Sequence, residues 1–199
     1  MKTDPEPMRI DPEPMRDDLV RLLQGPRPAA AAVLPLIEGL EAQSPCDLNR
    51  PLDLERLTGV WELRWSSGRQ PYLQPQPWLE NLQVLRPARG AGLNLLRGRG
   101  PLAGFGGVAV EAALTLAPPQ RVQVRFCRGG WIGPAIGPLQ ARLFRQVQQT
   151  FPAWLDITVL DERLRLCRGN TGTIFALLRR QDLDPAVLLP APGETAAAP

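Results

Sequence analysis

Residues 154–180 read WLDITVLDERLRLCRGNTGTIFALLRR. Apolar and polar residues alternate through this run, and the alternation breaks only around Asp161-Glu162 and Gly169-Asn170. Alternation over five to eight residues marks a strand, and breaks rich in acid, Asn and Gly mark tight turns. The stretch therefore reads as three short antiparallel strands. It carries five arginines: Arg163, Arg165, Arg168, Arg179 and Arg180. In its middle strand Leu164 and Leu166 share one face, and Arg163, Arg165 and Cys167 share the other. Those charges are either a solvated face or part of a site.

Upstream the same periodicity recurs. GVWELRWSS (59–67) puts Trp61, Leu63 and Trp65 on one side and Val60, Glu62 and Arg64 on the other. Further strands read at 81–87, 92–98, 106–117 and 121–128, separated by RGAG and APPQ turns and by a proline-rich loop, GRQPYLQPQPW. About eight strands in an antiparallel meander close as a barrel or fold as a sandwich, and closure removes exposed edges. One interruption stands before the last three strands. Leu139, Leu143 and Val147 recur at helical spacing beside Arg142 and Phe144, which predicts an amphipathic helix over about 138–149 with Pro138 in its first turn.

The N-terminal part reads differently. DPEPMR occurs twice, at 4–9 and 11–16. So charged and proline-rich a segment buries too little apolar surface to order itself, so residues 1–16 read as a disordered leader. Two helices are expected within 17–43. Val33, Leu36, Ile37 and Leu40 line one face of the second, and Pro35 either kinks it or marks its first turn. Residues 44–57 read as a polar, proline-interrupted connection. Residues 17–180 form one domain, with the barrel over 57–180, and 181–199 read as a flexible tail.

Composition limits the chemistry. The chain has 199 residues, no histidine and three cysteines, Cys46, Cys127 and Cys167. Imidazole catalysis and His-based metal sites are excluded. The cysteines form no C-x-x-C pair and read as reduced, buried thiols of a cytosolic compartment. No cofactor is expected. The first 62 residues carry net −5 and residues 63–180 net +11. A basic body points to an anionic partner such as lipid headgroups, nucleic acid or an acidic protein. Alternatively, 22 arginines against one lysine reflect genomic base composition. No apolar run is long enough to span a membrane, and the N-terminus lacks the apolar core of a secretory signal and is too acidic for a transit peptide.

Two runs carry a family resemblance. Residues 154–175 contain Trp154, Leu155, Asp156, Thr158, Leu160, Asp161, Leu164, Arg165, Arg168, Gly169 and Phe175. They resemble the closing signature of the plastid lipid-associated protein (PAP)/fibrillin family, W-L-D-T-T-Y-L-D followed by L-R-I-x-R-G and a final apolar strand. LTGVWELRWSS resembles that family's opening strand, with Trp65 in place of its usual aromatic residue. Gly59-x-Trp61 is also similar to the G-x-W of lipocalin-like barrels, whose Trp plugs one end.

The resemblance implies a mainly β fold, a lipocalin-like antiparallel barrel of about eight strands with two N-terminal helices and one inserted helix. It implies a non-enzymatic protein that holds or organises lipids, quinones or carotenoids at photosynthetic membranes or lipid bodies. A cyanobacterial-type member, peripheral at the cytoplasmic face of the thylakoid, is the form expected. Alternation then nominates Leu63, Trp65, Val84, Leu95, Val110, Val124 and Phe126 as the lining of an apolar ligand cavity, or as side chains that fill it. Gly59, Trp61, Trp154, Asp156, Asp161, Arg165, Arg168 and Gly169 are the signature residues. Asp161 is expected to accept hydrogen bonds from turn amides, and Arg165 or Arg168 to pair with Asp156 or Asp161 or to face a ligand headgroup. Contact with an anionic membrane is assigned to Arg142, Leu143, Phe144 and Arg145 on the inserted helix and to Arg97 and Arg99 on a hairpin. Alternatively that helix caps the barrel.

A nucleic-acid-binding barrel fits the basic charge, but one tyrosine and few aromatics leave little for base stacking, and no nucleic-acid partner is expected. An enzyme built on Asp156, Asp161 or Glu162 would need those carboxylates to converge in a cleft, and they lie near a turn. In a third reading the acidic leader binds the basic body of a protein-interaction scaffold.

Overall fold

A computed structural model describes residues 12–43, 45–136 and 139–190. Among them are four helices: α1 (Pro12–Gln24), α2 (Ala30–Gln43), α3 (Pro51–Leu57) and α4 (Pro185–Leu188). Nine strands accompany them: β1 (Gly59–Ser66), β2 (Leu79–Arg86), β3 (Ala91–Gly98), β4 (Gly107–Ala117), β5 (Arg121–Ile136), β6 (Leu139–Gln146), β7 (Ala153–Leu160), β8 (Leu164–Gly169) and β9 (Ile174–Arg179). Eight of the strands close a ring, β1-β2-β3-β4-β5-β7-β8-β9 and back to β1, antiparallel throughout. This is the lipocalin-like barrel that the alternation and the resemblance led us to expect.

The ninth strand explains one element misread from the sequence. β5 is 16 residues long, and its first part, Arg121–Val124, pairs with β7 inside the ring. Its second part, Arg128–Ile136, pairs with β6, so a β5–β6 hairpin projects from the barrel. The helix expected over 138–149 is thus a strand over Leu139–Gln146. A spacing of four is common to both periodicities, since residues 143 and 147 share a face in a helix and also in a strand. Cross-strand partners decide the outcome: Trp131 lies opposite Leu143 on one side and opposite Val108 on the other.

The first helix begins at Pro12, inside the stretch read as a disordered leader; residues 1–11 lie outside the described residues. The connection read over 44–57 ends in α3. Pro35 sits inside α2. The tail read as flexible instead docks, as far as residue 190: Leu189 is buried with Val84 and Leu93, and Arg86 donates to its carbonyl at 2.8 Å.

Three apolar clusters result. One fills the barrel around Trp61, Leu63, Ile157, Cys167 and Leu177. A second lies outside the wall, where Leu19, Leu23, Val33, Ile37 and Leu40 of α1 and α2 cover Trp65, Leu164, Leu166 and Ala176. A third lies beneath the C-terminal segment around Val60, Leu82, Val84, Leu93 and Leu95.

Trp65 belongs to the outer cluster because β1 carries a bulge. Leu63 pairs with Leu177 and Trp65 with Ala176, which leaves Arg64 as the extra residue. A bulge inverts every later side chain on its strand. The extra arginine is used: Arg64 donates to the carbonyls of Leu23 (2.8 Å), Gln24 (3.1 Å) and Gly25 (3.3 Å) at the end of α1. A cation at a helix C-terminus satisfies carbonyls that have no intrahelical partner. Ion pairs of Arg16 with Asp161, Arg163 with Asp17 and Arg168 with Glu41 complete the attachment of α1 and α2.

The Trp65→Ala substitution should lower the unfolding free energy by about 3–5 kcal/mol, read from urea denaturation. It should also expose the α1–α2 hairpin to protease before the barrel opens.

Candidate functional site

One end of the barrel is shut. Trp61 is fully buried on its floor, and its Nε1 donates to Leu57 O at 3.1 Å. Arg179 lies over the indole, 4.3 Å from the ring centroid. It donates to the carbonyls of Thr58 (2.8 Å), Glu162 (2.9 Å) and Arg56, closing the C-terminus of α3 and the β7–β8 turn together. Gly59 is required here. Its φ is 149°, and a Cβ would run into the Arg179 guanidinium. The G-x-W motif is therefore glycine for clearance and tryptophan for the plug.

The other end is open. A cavity of about 340 Å³ is lined by Leu85, Ala112, Leu114, Val124, Leu155 and Phe175, with Gln83 and Asn94 among its polar groups. It shares Tyr72, Leu73, Gln83, Asn94 and Phe126 with a groove of about 390 Å³. That groove follows the inner face of β2–β5 past Val110 and Val147. Beyond it Val108, Trp131 and Leu143 form one cross-strand row and are 60%, 38% and 69% exposed. Arg145, opposite Gly129, stands in the next row.

Larger clefts lie outside the wall. One, of about 510 Å³, borders Glu62, Arg64 and Arg99. It lies against a charge network rather than an apolar site. Glu80 binds Arg97 at 2.9 Å and Arg180 at 2.7 Å; Glu62 binds Arg64 and Arg180 at 3.0 Å each and Arg99 as well. Burial alone would raise the Glu62 carboxyl, but hydrogen bonds from Arg99 and Arg64 outweigh it and hold it below its ordinary 4.5. The network ties Arg180 and, through a 2.7 Å pair, Asp182 to the barrel wall.

Of the proposed lining, Leu63, Val110, Val124 and Phe126 face inward. Trp65, Val84 and Leu95 do not: Trp65 is turned out by the bulge, and the other two lie under the C-terminal segment. On β2 and β3 the expected polarity is reversed. Gln83 and Asn94 face the cavity, while Leu82, Val84, Leu93 and Leu95 are buried outside.

The membrane candidates are likewise divided. Leu143 and Arg145 share the inner face of β6. Phe144 packs on the outer cluster, and Arg142 donates to Leu188 O at 3.3 Å. Arg97 and Arg99 are held in the charge network rather than presented to a surface.

Asp161 Oδ1 accepts from Arg163 N (2.7 Å) and Leu164 N (2.8 Å), as expected of the turn. Asp156 pairs with neither Arg165 nor Arg168 but bidentately with Arg121, at 2.7 and 2.8 Å. Arg121 also stacks on Trp154, 3.7 Å from its centroid, so the W-x-D spacing grips one arginine across the β5–β7 seam. Arg168 pairs with Glu41. Gly169 lines the cavity mouth.

Arg165 is the unexpected case. It is fully buried inside the barrel, 5.2 Å from the Trp61 ring centroid, and donates through Nη2 to Gln83 Oε1. Apart from the Cys167 sulfur, a weak acceptor, its Nε and Nη1 have no hydrogen-bond partner. Burial lowers its pKa to about 10, so it remains charged at neutral pH. Burial raises the neighbouring Cys167 thiol, which is therefore neutral. Sequence reasoning passed over Gln83, Leu114 and Phe175 as lining. Each has inward parity in its strand, and only ring closure identifies that face as the interior.

Among the described residues no group of three His, Cys, Asp or Glu could hold a metal ion, and no helix is long and apolar enough to cross a membrane. The PAP_fibrillin family model matches residues 22–178, which contain the whole eight-stranded ring except the last residue of β9. No curated protein and no solved structure matches the chain.

Glu62→Gln should cost about 1–3 kcal/mol at pH 7, since it removes the charge from several bonds to arginine. A carboxylate held below its ordinary pKa stabilises the fold above pH 4.5, and that contribution disappears as pH falls through the lowered value. The gap between wild type and variant in denaturant titrations should therefore be full at pH 7 and narrow steadily below pH 4.5.

Proposed function

This chain belongs to the PAP_fibrillin family, and on that premise we propose that its barrel holds one apolar small molecule, a lipid, quinone or carotenoid, without converting it. The observation that carries the reading is the interior cavity. Its volume of about 340 Å³ lies in the ~300–1,000 Å³ range of small-molecule sites, and its walls are mostly apolar with few polar groups. Among the described residues no carboxylate borders it, and the acids near the signature turn are engaged in ion pairs and turn hydrogen bonds. That favours binding over acid–base chemistry.

The same reading gives the projecting hairpin a purpose. An apolar ligand is supplied by a lipid phase, and the exposed row Val108–Trp131–Leu143 continues the groove that leads into the cavity. We propose that this row rests on an anionic membrane or lipid-body surface, with Arg145 beside it. One such arginine contributes roughly 1 kcal/mol at an anionic surface, so the apolar row must supply most of the affinity. A thylakoid location and a cyanobacterial source would suit such a protein.

The test is mass spectrometry of an organic extract from protein purified without detergent out of a photosynthetic host. One lipid, quinone or carotenoid should appear near one per protein, be absent from a control protein, and be lost from Ala112→Trp, which fills the cavity. A clean extract from the wild type would overturn the carrier reading. Separately, Leu143→Glu should reduce co-sedimentation with anionic vesicles by tenfold or more. Raised salt should weaken the wild type only modestly; complete loss with salt would contradict an apolar contact.

A further inference from the structure

The carrier reading leaves one buried charge unexplained. A guanidinium removed from water needs an anion or a full set of acceptors, and an arrangement lacking both is costly. Arg179 shows how this chain meets that need at the same end of the barrel, with three carbonyl acceptors. Arg165 has nothing comparable. Its groups face Trp61, the neutral Cys167 thiol and Gln83, and the charged side chain that acts on it is Arg179, another cation. Apart from the weakly accepting Cys167 sulfur, two of its three nitrogens have no hydrogen-bond partner.

Gln83 connects this charge to the cavity. Its amide oxygen accepts from Arg165, so the amide NH₂ is the group left to donate. Gln83 lines both the interior cavity and the groove. The polar end of the site is therefore a hydrogen-bond donor backed by an uncompensated positive charge. A ligand fitted to it must present an acceptor and is best served by carrying a negative charge. We propose that the ligand is a long-chain carboxylate, with its headgroup against Gln83 and the Arg165 charge and its chain running out along the groove.

Size agrees with this arrangement. The interior of about 340 Å³ lies near the lower end of the ~300–1,000 Å³ range of small-molecule sites. A longer chain has to continue past Phe126 into the groove of about 390 Å³. An amphiphile with its head inside and its tail leading to the apolar hairpin row matches that shape. A molecule apolar throughout would leave the charge uncompensated.

This inference rests on the carrier reading, and one experiment separates the two. The full chain, stripped of bound lipid, is titrated with the fluorescent polyene cis-parinaric acid and, separately, with its methyl ester. The acid should bind at least tenfold tighter than the ester. In Arg165→Met that preference should fall to about one while ester affinity is unchanged. The empty variant should be at least as resistant to urea as the wild type, since an uncompensated charge has been removed.

Equal affinity for acid and ester in the wild type overturns the headgroup assignment and leaves the carrier reading standing. So does an acid preference that survives in Arg165→Met. Binding of neither probe overturns both. If Arg165→Met does not fold, Gln83→Glu tests the same contact: it sets a carboxylate against Arg165, supplies the missing anion and should abolish the acid preference, and a preference that survives it overturns the headgroup assignment.

Discussion

Closing eight strands into a ring means that a side chain on the inner face meets either another inner side chain or the mouth. The rest of the molecule follows from that constraint. Trp61 shuts one end, and Arg179 holds the shutter by taking carbonyls from the preceding helix and from the β7–β8 turn. With one end sealed, a polar group placed inside cannot reach water along the wall. It must find a partner there or wait for one to enter. This is why a single arginine in the interior weighs more than the many on the surface.

The arginines of the closing hairpins fall into three uses. Arg163 and Arg168 bind the N-terminal helices through Asp17 and Glu41. Arg179 and Arg180 fasten chain segments, one by capping carbonyls and one through Glu62, Glu80 and Asp182. Arg165 alone enters the barrel. Such pairs fix geometry more than they add stability, because desolvation offsets much of the attraction. The net positive charge of the barrel sequence is thus largely answered by acids from the same chain, including several from the acidic N-terminal part. It is a weaker sign of an external anion than the composition suggested.

Much of this architecture was legible in the sequence, and the failures share a cause. Period two located the strands of the ring, and the two signature runs marked its closing ends. What a single strand cannot reveal is which of its faces becomes the inside. On β8 the leucines look like the core face, yet they lie outside under α1 and α2, and the face bearing Arg165 and Cys167 is the interior. On β2 and β3 a docked tail buries the outer face, so Val84 and Leu95 satisfy the hydrophobic rule on the wrong side. The bulge at Arg64 inverts Trp65 without any break in the apolar pattern. Leu139, Leu143 and Val147 fit a helix and a strand equally. Each error was resolved by a partner distant in sequence.

The 16-residue β5 has a consequence for how such a chain can vary over time. Its first residues complete the ring with β7, while its later residues and β6 contribute nothing to that β7 seam. Residues can be added to or removed from the hairpin tip in pairs without shifting the register of the β5–β7 seam. The barrel and its sealed floor are bound to one geometry, whereas the rim beside the opening can lengthen, shorten or change its side chains. Diversification is thereby channelled to the rim, where a carrier meets its surroundings.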